Sequence, residues 1–242
     1  MSASKKLSTR NIVIGVGALA ILGGIAAVAG PRIYRDLIVG EQPEAPSLST
    51  KPQSGNGDEP LAETGTDDDG TGTWSVTGDS FAGYRVAEVL NGVDVTVVGR
   101  TADVTGTVTI DAGTLAKGSV TVDLTTVATD ESRRDQYFRS RALHTDDNPT
   151  ATFTLTEPVE AIADAVRSGS HTVDLTGDLL INGVTRSVTT QLQAAPEAGG
   201  GVEVAGSIPL TFEDFDVTPP NLGFVKVEDH GTIEVSLHFA RE

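Results

Sequence analysis

Residues 173–188 read VDLTGDLLINGVTRSV, and their alternation of apolar and polar residues indicates the fold class. Its residues of one parity are small or apolar, namely Val173, Leu175, Gly177, Leu179 and Ile181. A strand with one buried face requires such an alternation. Asn182-Gly183 follows at once, and Asn-Gly supplies the two positive-φ residues that a tight hairpin turn needs. The stretch therefore predicts a β-hairpin with one apolar face.

The same alternation recurs along the second half of the chain. It is visible at 104–110, 120–124, 202–212 and 233–239, with Thr, Asp, Ser and Glu at most of the other positions. Turn signals separate these runs, at Asn91-Gly92 and at residues 111–113 and 199–201. Strands of a parallel α/β sheet are covered on both faces and read as continuous apolar runs, so this fold class is excluded.

Two segments depart from the strand pattern. Residues 129–139 predict a short helix capped by Thr129 or Asp130, and residues 160–167 predict a second one that ends at Gly169. About eight antiparallel strands with one or two short helices close into a barrel, or stack as two sheets, around one apolar interior. The sequence predicts an all-β domain over residues 73–242.

Composition excludes several functions. The chain has 242 residues and a formal charge of −17, whereas a nucleic-acid binder needs clustered cations over a wide face. It contains no cysteine, so disulfides, thiolate metal sites and thiol nucleophiles are excluded.

The N-terminal region contains an apolar segment. Residues 12–29 read IVIGVGALAILGGIAAVA, which is about 27 Å of helix and long enough to cross a bilayer. More cations precede it than follow it, which favours a cytoplasmic N-terminus at 1–11, a transmembrane anchor at 12–30 and an extracytoplasmic C-terminal domain. The alternative is a signal peptide cleaved after Ala27-Val28-Ala29, which would release a secreted protein.

Residues 31–72 are predicted to be a linker. From Glu41 onward they are rich in Pro, Gly, Ser, Thr and acidic residues, with almost nothing to bury. Such a composition is typical of a flexible, solvated spacer.

An ordered series of motifs spans most of residues 74–242. The series comprises Trp74-Ser75-Val76, Asp79-Ser80, Arg133-Arg134-Asp135, Asn148-Pro149-Thr150-Ala151-Thr152-Phe153, the stretch 177–186, Asp214-Phe215-Asp216-Val217 and Val225-Lys226-Val227-Glu228-Asp229. In this order and spacing it resembles the YceI-like family of lipid- or polyisoprenoid-binding proteins. Asp79 stands where many members have a histidine, so no histidine-dependent role is carried over.

The resemblance implies a lipocalin-like extended β-barrel whose interior holds an isoprenoid or fatty chain without a covalent bond. The inward parity is dominated by Val, Ala, Gly and Leu, and such small walls favour a hollow interior. The residues predicted to line it are Tyr84, Val86, Val108, Val122, Phe153, Leu155, Leu175, Leu179, Leu210 and Phe212.

Arg133 and Arg134 are candidates for binding the headgroup of such a ligand, because guanidinium groups suit phosphate and carboxylate. The alternative is structural: the arginines of this segment pair with Asp130, Glu131 and Asp135 and fix the helix on the barrel.

No catalytic, metal or cofactor site is predicted. The four histidines, His144, His171, His230 and His238, lack metal-ligand spacing, and no serine lies in a nucleophile motif. The acidic group Glu213, Asp214 and Asp216 is interpreted as a solvated turn.

Three functions follow. The first is a membrane-anchored, extracytoplasmic, non-catalytic protein that holds an isoprenoid or fatty lipid. The second is a packed barrel that serves protein interaction or stress response without a lipid. The third is an enzyme that acts on a lipid headgroup through Asp214 and Asp216 or a histidine.

Overall fold

The computed structural model describes residues 42–49 and 69–242. Within them lie ten strands and two short α-helices: β1 Gly72–Val76, β2 Phe81–Leu90, β3 Val93–Thr101, β4 Val104–Asp111, β5 Thr114–Asp123, α1 Ser132–Tyr137, β6 Thr150–Leu155, α2 Ile162–Arg167, β7 His171–Ile181, β8 Val184–Pro196, β9 Val202–Thr211 and β10 Val225–Arg241. Every pairing between these strands is antiparallel.

Eight of the ten strands close a barrel, in the order β1-β4-β5-β6-β7-β8-β9-β10 and back to β1. The last step pairs Trp74 with Arg241 and Val76 with Phe239. The predicted all-β antiparallel barrel of about eight strands is thereby confirmed, and the alternative of two stacked sheets is excluded.

The remaining two strands, β2 and β3, form a hairpin whose position in the sheet was not predicted from the sequence. β10 has 17 residues, enough for two partners along one edge: its C-terminal end pairs with β1, and residues 225–236 pair with β2. β3 then pairs with β2 and continues the wall. Between Val227 and Gly231 the register of β10 shifts at a bulge.

The predicted hairpin turns are present. Asn182 and Gly183 have φ values of 50° and 75°, and Asn91 and Gly92 have 51° and 80°. These conformations are those of a tight turn whose twist matches the flanking strands.

The helix prediction for residues 129–139 needs correction at its start. The N-cap is Glu131, whose carboxylate accepts a hydrogen bond from the Arg133 backbone N–H at 3.1 Å. Thr129 does not cap, because its backbone N–H and hydroxyl both donate to the buried Asp135 carboxylate. A π-helical turn, Phe138–Ala142, continues the segment. The second helix starts at Ile162 instead of residue 160.

The barrel carries its own core. Its three clusters of buried apolar side chains draw all their members from residues 74–239. One cluster, for example, joins Ala82, Val104, Leu192 and Phe239, which come from four different strands. We therefore expect residues 42–242 to fold without the preceding segment.

A buried carboxylate lies on the outer face of the barrel. The side chain of Glu234, in β10, is fully buried although it points away from the interior. Arg85 donates to one of its oxygens, and Arg100 Nη2 lies 2.9 Å from the other. The guanidinium of Arg100 also stacks over the Phe81 ring, at 4.5 Å from its centroid. Two partners thus compensate the desolvation of one charge.

Residues 42–49, here called the strap, cover this group. The backbone carbonyls of Pro43 and Glu44 accept hydrogen bonds from Arg85 and Arg100. At its C-terminal end, the Ser49 backbone N–H donates to the Glu203 carboxylate at 2.9 Å. The strap lies within the segment that was predicted to be a solvated linker. Its composition gave no indication that it contacts the barrel.

The predicted anchor at 12–30 lies outside the described residues. Within 42–49 and 69–242, no helix is long and apolar enough to cross a membrane.

Candidate functional site

The interior of the barrel contains two cavities. The large cavity has a volume of about 1020 Å³, at the upper end of the range for small-molecule sites. Inward side chains of all eight barrel strands line it, and Ile162 and Val166 of α2 cover one end together with the turn at 197–201. Its lining is mostly aliphatic, with three aromatic members, Trp74, Phe153 and Phe239. The polar members are Ser119, Thr152, Arg167, Thr190 and Glu197.

The small cavity has a volume of about 600 Å³ and lies towards the other end of the barrel. Its walls are β2, the N-terminal part of β10, helix α1 and residues 217–224, here called the rim loop. Val122, Ala151 and Ile233 line both cavities. The two spaces therefore adjoin across these three side chains, and together they run along the barrel.

Aromatic rings do not fill the interior, because some lie flat over glycines on neighbouring strands. A Cβ atom on Gly177 would lie 2.4 Å from the Phe153 ring, and a Cβ atom on Gly99 would lie 2.5 Å from the Tyr84 ring. The Tyr84 ring also stacks on Phe138, with the centroids 5.1 Å apart. Glycine at these two positions lets large rings lie against the wall, so the space beside them stays open.

All ten residues predicted to line the interior border a cavity. Five border the large cavity alone: Val108, Phe153, Leu155, Leu175 and Leu179. Four border the small cavity alone: Tyr84, Val86, Leu210 and Phe212. Val122 borders both. Phe212 does so from a 3-10 turn, Phe212–Phe215, because β9 ends one residue earlier than the alternation indicated. Their contact with a ligand stays a prediction.

The two headgroup candidates border the small cavity but differ in their partners. Arg134 Nη1 lies 2.5 Å from Asp130 Oδ1, and Arg134 Nε lies 3.9 Å from Glu88 Oε2. These contacts are those of the structural alternative, in which Arg134 pairs with acidic residues and fixes α1 on the barrel. Arg133 is exposed at the cavity mouth.

Sequence reasoning missed Glu88, a carboxylate inside the small cavity. It shares the inward parity of β2 with Tyr84 and Val86, and only 6% of the residue is exposed. Extending the β2 alternation by one more step would have found it. Desolvation raises the pKa of Glu88, and the nearby guanidinium of Arg134 partly opposes this rise. Burial also raises the pKa of the Tyr84 phenol, which stays neutral.

The substitution Glu88→Gln tests this environment. Because the folded-state pKa is raised, the folded form favours the proton, and that contribution to stability is present at low pH and is lost as the pH rises through the raised pKa. We therefore expect the stability of Glu88→Gln, relative to the wild type, to improve between pH 4 and pH 7. Urea denaturation at both pH values measures this. Glu157→Gln, at an exposed position, is the control, and an equal pH response in both variants would contradict the assignment.

The other polar candidates lie outside the two cavities. The turn after β9 exposes Glu213, Asp214 and Asp216, which agrees with the interpretation of this acidic group as a solvated turn. His238 Nδ1 lies 2.9 Å from Glu197 Oε1. At the β10 bulge, Glu228, Asp229 and His230 bring possible metal-ligand atoms within 4.8 Å of one another, which the sequence analysis did not anticipate. His230 and Asp229 are hydrogen-bonded to each other there.

A family model described as "YceI-like domain" matches residues 75–239, which is more than half of the chain. The chain is also similar to two curated proteins. It is 36% identical over 125 residues to "Protein YceI" of Shigella flexneri, a match that covers 48% of this chain and 60% of the relative. It is 33% identical over 127 residues to "UPF0312 protein" of Pseudomonas aeruginosa, covering 49% and 62%. The matches therefore span less than two thirds of these relatives.

Two solved structures are similar in fold. One is a polyisoprenoid binding domain from Saccharophagus degradans implicated in plant cell wall breakdown, with a TM-score of 0.59, 19% identity, and coverage of 70% of this chain and 98% of that one. The other is BcnA of Burkholderia cenocepacia, with a TM-score of 0.53, 19% identity, and coverage of 66% and 96%. At this identity the similarity establishes the architecture of the barrel.

Proposed function

Because the chain belongs to the YceI-like family, we propose that its barrel binds a polyisoprenoid or another long-chain amphiphile in the two adjoining cavities. The observation that carries this proposal is the apolar interior itself, about 1020 Å³ in the large cavity alone. The YceI-like family is a family of polyisoprenoid-binding barrels and is not catalytic. Membership of this family confirms the expectation that the chain is not an enzyme.

The chemistry of the walls matches a hydrocarbon ligand. Each methylene that leaves water contributes about 0.8 kcal/mol, so ten of them contribute roughly 8 kcal/mol before the costs of ordering. A slender chain suits an elongated interior, since it can pass from one cavity to the other beside Val122, Ala151 and Ile233. The packed-barrel alternative expects a filled interior, which two cavities of this size disfavour.

The proposal extends to the location of the domain. The apolar segment 12–30 and the cations that flank it support a single-pass anchor in the cytoplasmic membrane, with the barrel on the extracytoplasmic side. In that place the protein holds or transfers lipid without chemical change. A secreted form, produced by signal cleavage, would keep the same binding function.

Trp74 provides a direct test, because it is the chain's single tryptophan and it lines the large cavity. We expect a polyprenol or fatty acid with a bromine-labelled chain to quench its fluorescence with saturable, stoichiometric binding to the 42–242 fragment. Native mass spectrometry of the fragment purified without detergent should also show a lipid that solvent extraction releases. A water-soluble phosphate ester without the chain is the control. No lipid bound after purification and no quenching by added chains would reject the proposal.

A further inference from the structure

The rim loop exposes two large apolar side chains. Leu222 and Phe224 are each 58% exposed, and they are the large hydrophobic residues with such exposure among residues 42–49 and 69–242. They lie two residues apart on one loop, and both also line the small cavity. A soluble surface rarely concentrates its exposed apolar side chains at one point unless that point makes a contact.

Hydrogen bonds hold the rim loop in this conformation. The Leu222 N–H donates to the Val225 carbonyl at 2.8 Å, and the Val227 N–H donates to the Pro220 carbonyl at 3.1 Å. From the neighbouring hairpin, the Asn91 N–H donates to the Phe224 carbonyl at 2.8 Å. Pro219 and Pro220 further restrict the backbone. The exposure of the two side chains is therefore built into the loop.

The strap begins at the same end of the barrel. The Gln42 side-chain amide donates to Asp130 Oδ2 at 3.2 Å, and Asp130 lines the small cavity. The preceding chain thus reaches the domain beside this mouth. In the sequence, about a dozen residues separate Gln42 from the end of the apolar segment 12–29.

We propose that the rim loop docks on a lipid bilayer, with Leu222 and Phe224 in the interface and the mouth of the small cavity facing the membrane. This inference rests on the proposed function, because an insoluble chain must pass between a membrane and the cavity without crossing water. The mouth, the exposed side chains and the start of the strap coincide at one end, which gives the bilayer a single face to meet.

The docking is apolar in character. Arg133, Arg134 and Lys226 lie near the loop, but so do the carboxylates of Glu88, Asp130 and Glu131, so no net positive patch is available for anionic headgroups. The chain as a whole is acidic, with a formal charge of −17. We therefore expect binding to neutral phosphatidylcholine vesicles that is insensitive to salt, unlike the adsorption of a polybasic segment.

The first experiment places a fluorescent reporter on the loop of the 42–242 fragment. In a Trp74→Phe background, Phe224→Trp should give blue-shifted emission with phosphatidylcholine vesicles and strong quenching when their acyl chains carry bromine. Ala198→Trp in the same background is the matched control, since Ala198 is exposed on the turn beside the large cavity at the opposite end. Equal quenching of the two reporters, or none of either, would overturn the proposal.

The second experiment removes the apolar contact. Leu222→Ser with Phe224→Ser should lower vesicle partitioning in flotation at least about tenfold, because two exposed side chains lose their favourable transfer. Leu222→Phe with Phe224→Leu should retain it. Vesicle partitioning of the serine variant equal to that of the wild type would overturn the proposal. It would also be overturned if the wild-type fragment bound no vesicles but formed a dimer that the serine substitutions abolish.

Delivery of the lipid separates this inference from the proposed function. Leu222 and Phe224 also line the small cavity, so loading is measured as quenching of Trp74 by a brominated fatty acid from each of two sources. Relative to the wild type, the serine variant should lose more of its loading rate when the acid is supplied from vesicles than when it is supplied from cyclodextrin. If the proposed function fails, Trp74 is quenched from neither source although the loop reporter still responds to vesicles. If the docking fails, the serine substitutions change the loading rate by the same factor from vesicles and from cyclodextrin.

Discussion

Replacement of Ala151 by tryptophan is expected to lower the affinity for a long polyprenyl or fatty chain by about a hundredfold. Ala151 lies on β6 and lines both cavities, so an indole at this position obstructs the passage between them. A chain restricted to one cavity leaves several methylenes in water. Four of them cost roughly 3 kcal/mol, which corresponds to about a hundredfold in the dissociation constant. Isothermal calorimetry of the Ala151→Trp variant measures the loss of affinity. Ala151→Phe also obstructs the passage but adds no second tryptophan, so its affinity can be measured by titration of Trp74 quenching.

Chain length provides the internal control for this variant. A chain of eight to ten carbons fits within one cavity and should bind both proteins with similar affinity. Ala87→Trp serves as the matched surface variant, because Ala87 is exposed on the outer face of β2 and borders neither cavity. If Ala151→Trp bound long and short chains as the wild type does, a ligand that spans the two cavities would be excluded.

The second large effect concerns stability. Glu234→Gln should lower the free energy of unfolding by about 3 kcal/mol, because it leaves Arg85 and Arg100 without their shared anion on a covered surface. The figure lies at the low end for a buried pair, since both arginines retain about a quarter of their exposure and rehydrate in part. For a domain of this size the loss corresponds to a decrease in Tm of roughly 6–12 °C.

A double-mutant cycle with Arg85→Met distinguishes the ion group from a simple packing effect. The two substitutions should destabilise less together than the sum of their separate effects, because the second removes a charge that the first left unpaired. Glu157→Gln, at an exposed carboxylate, should change the Tm by less than about 2 °C. An additive cycle, or a Glu234→Gln variant with the Tm of the wild type, would contradict the interpretation.

The faces of the strands could be predicted from the sequence because alternation is a local signal. Once one face of a strand is buried, parity alone places Val108, Leu175 and Leu179 inside, and the structure puts each of them at a cavity wall. The Asn182-Gly183 turn is equally local, since its two positive φ values follow from the residue types. The hollow interior followed from the small size of the inward residues.

The features that the sequence did not reveal depend on contacts between distant residues. The double pairing of β10 requires knowing which strands share its edge, and parity carries no information about that. The strap has the composition of a solvated linker, and its order comes from Arg85, Arg100 and Glu203, which lie far away in sequence. Glu234 reads as an ordinary outward acid, since nothing local shows that two arginines and the strap cover it.

The way in which β10 closes the barrel has a consequence for how the chain folds. Trp74 at the start of the domain pairs with Arg241 near its end, so the closing contact spans almost the whole domain in sequence. Contacts of such long range form slowly, because the intervening chain must first be ordered. During synthesis the last strand leaves the ribosome after all the others, and until then β1, β2 and β9 all lack the strand with which each of them pairs. The nascent domain therefore presents three open strand edges, the surfaces most prone to pairing with another chain, until its final residues are available.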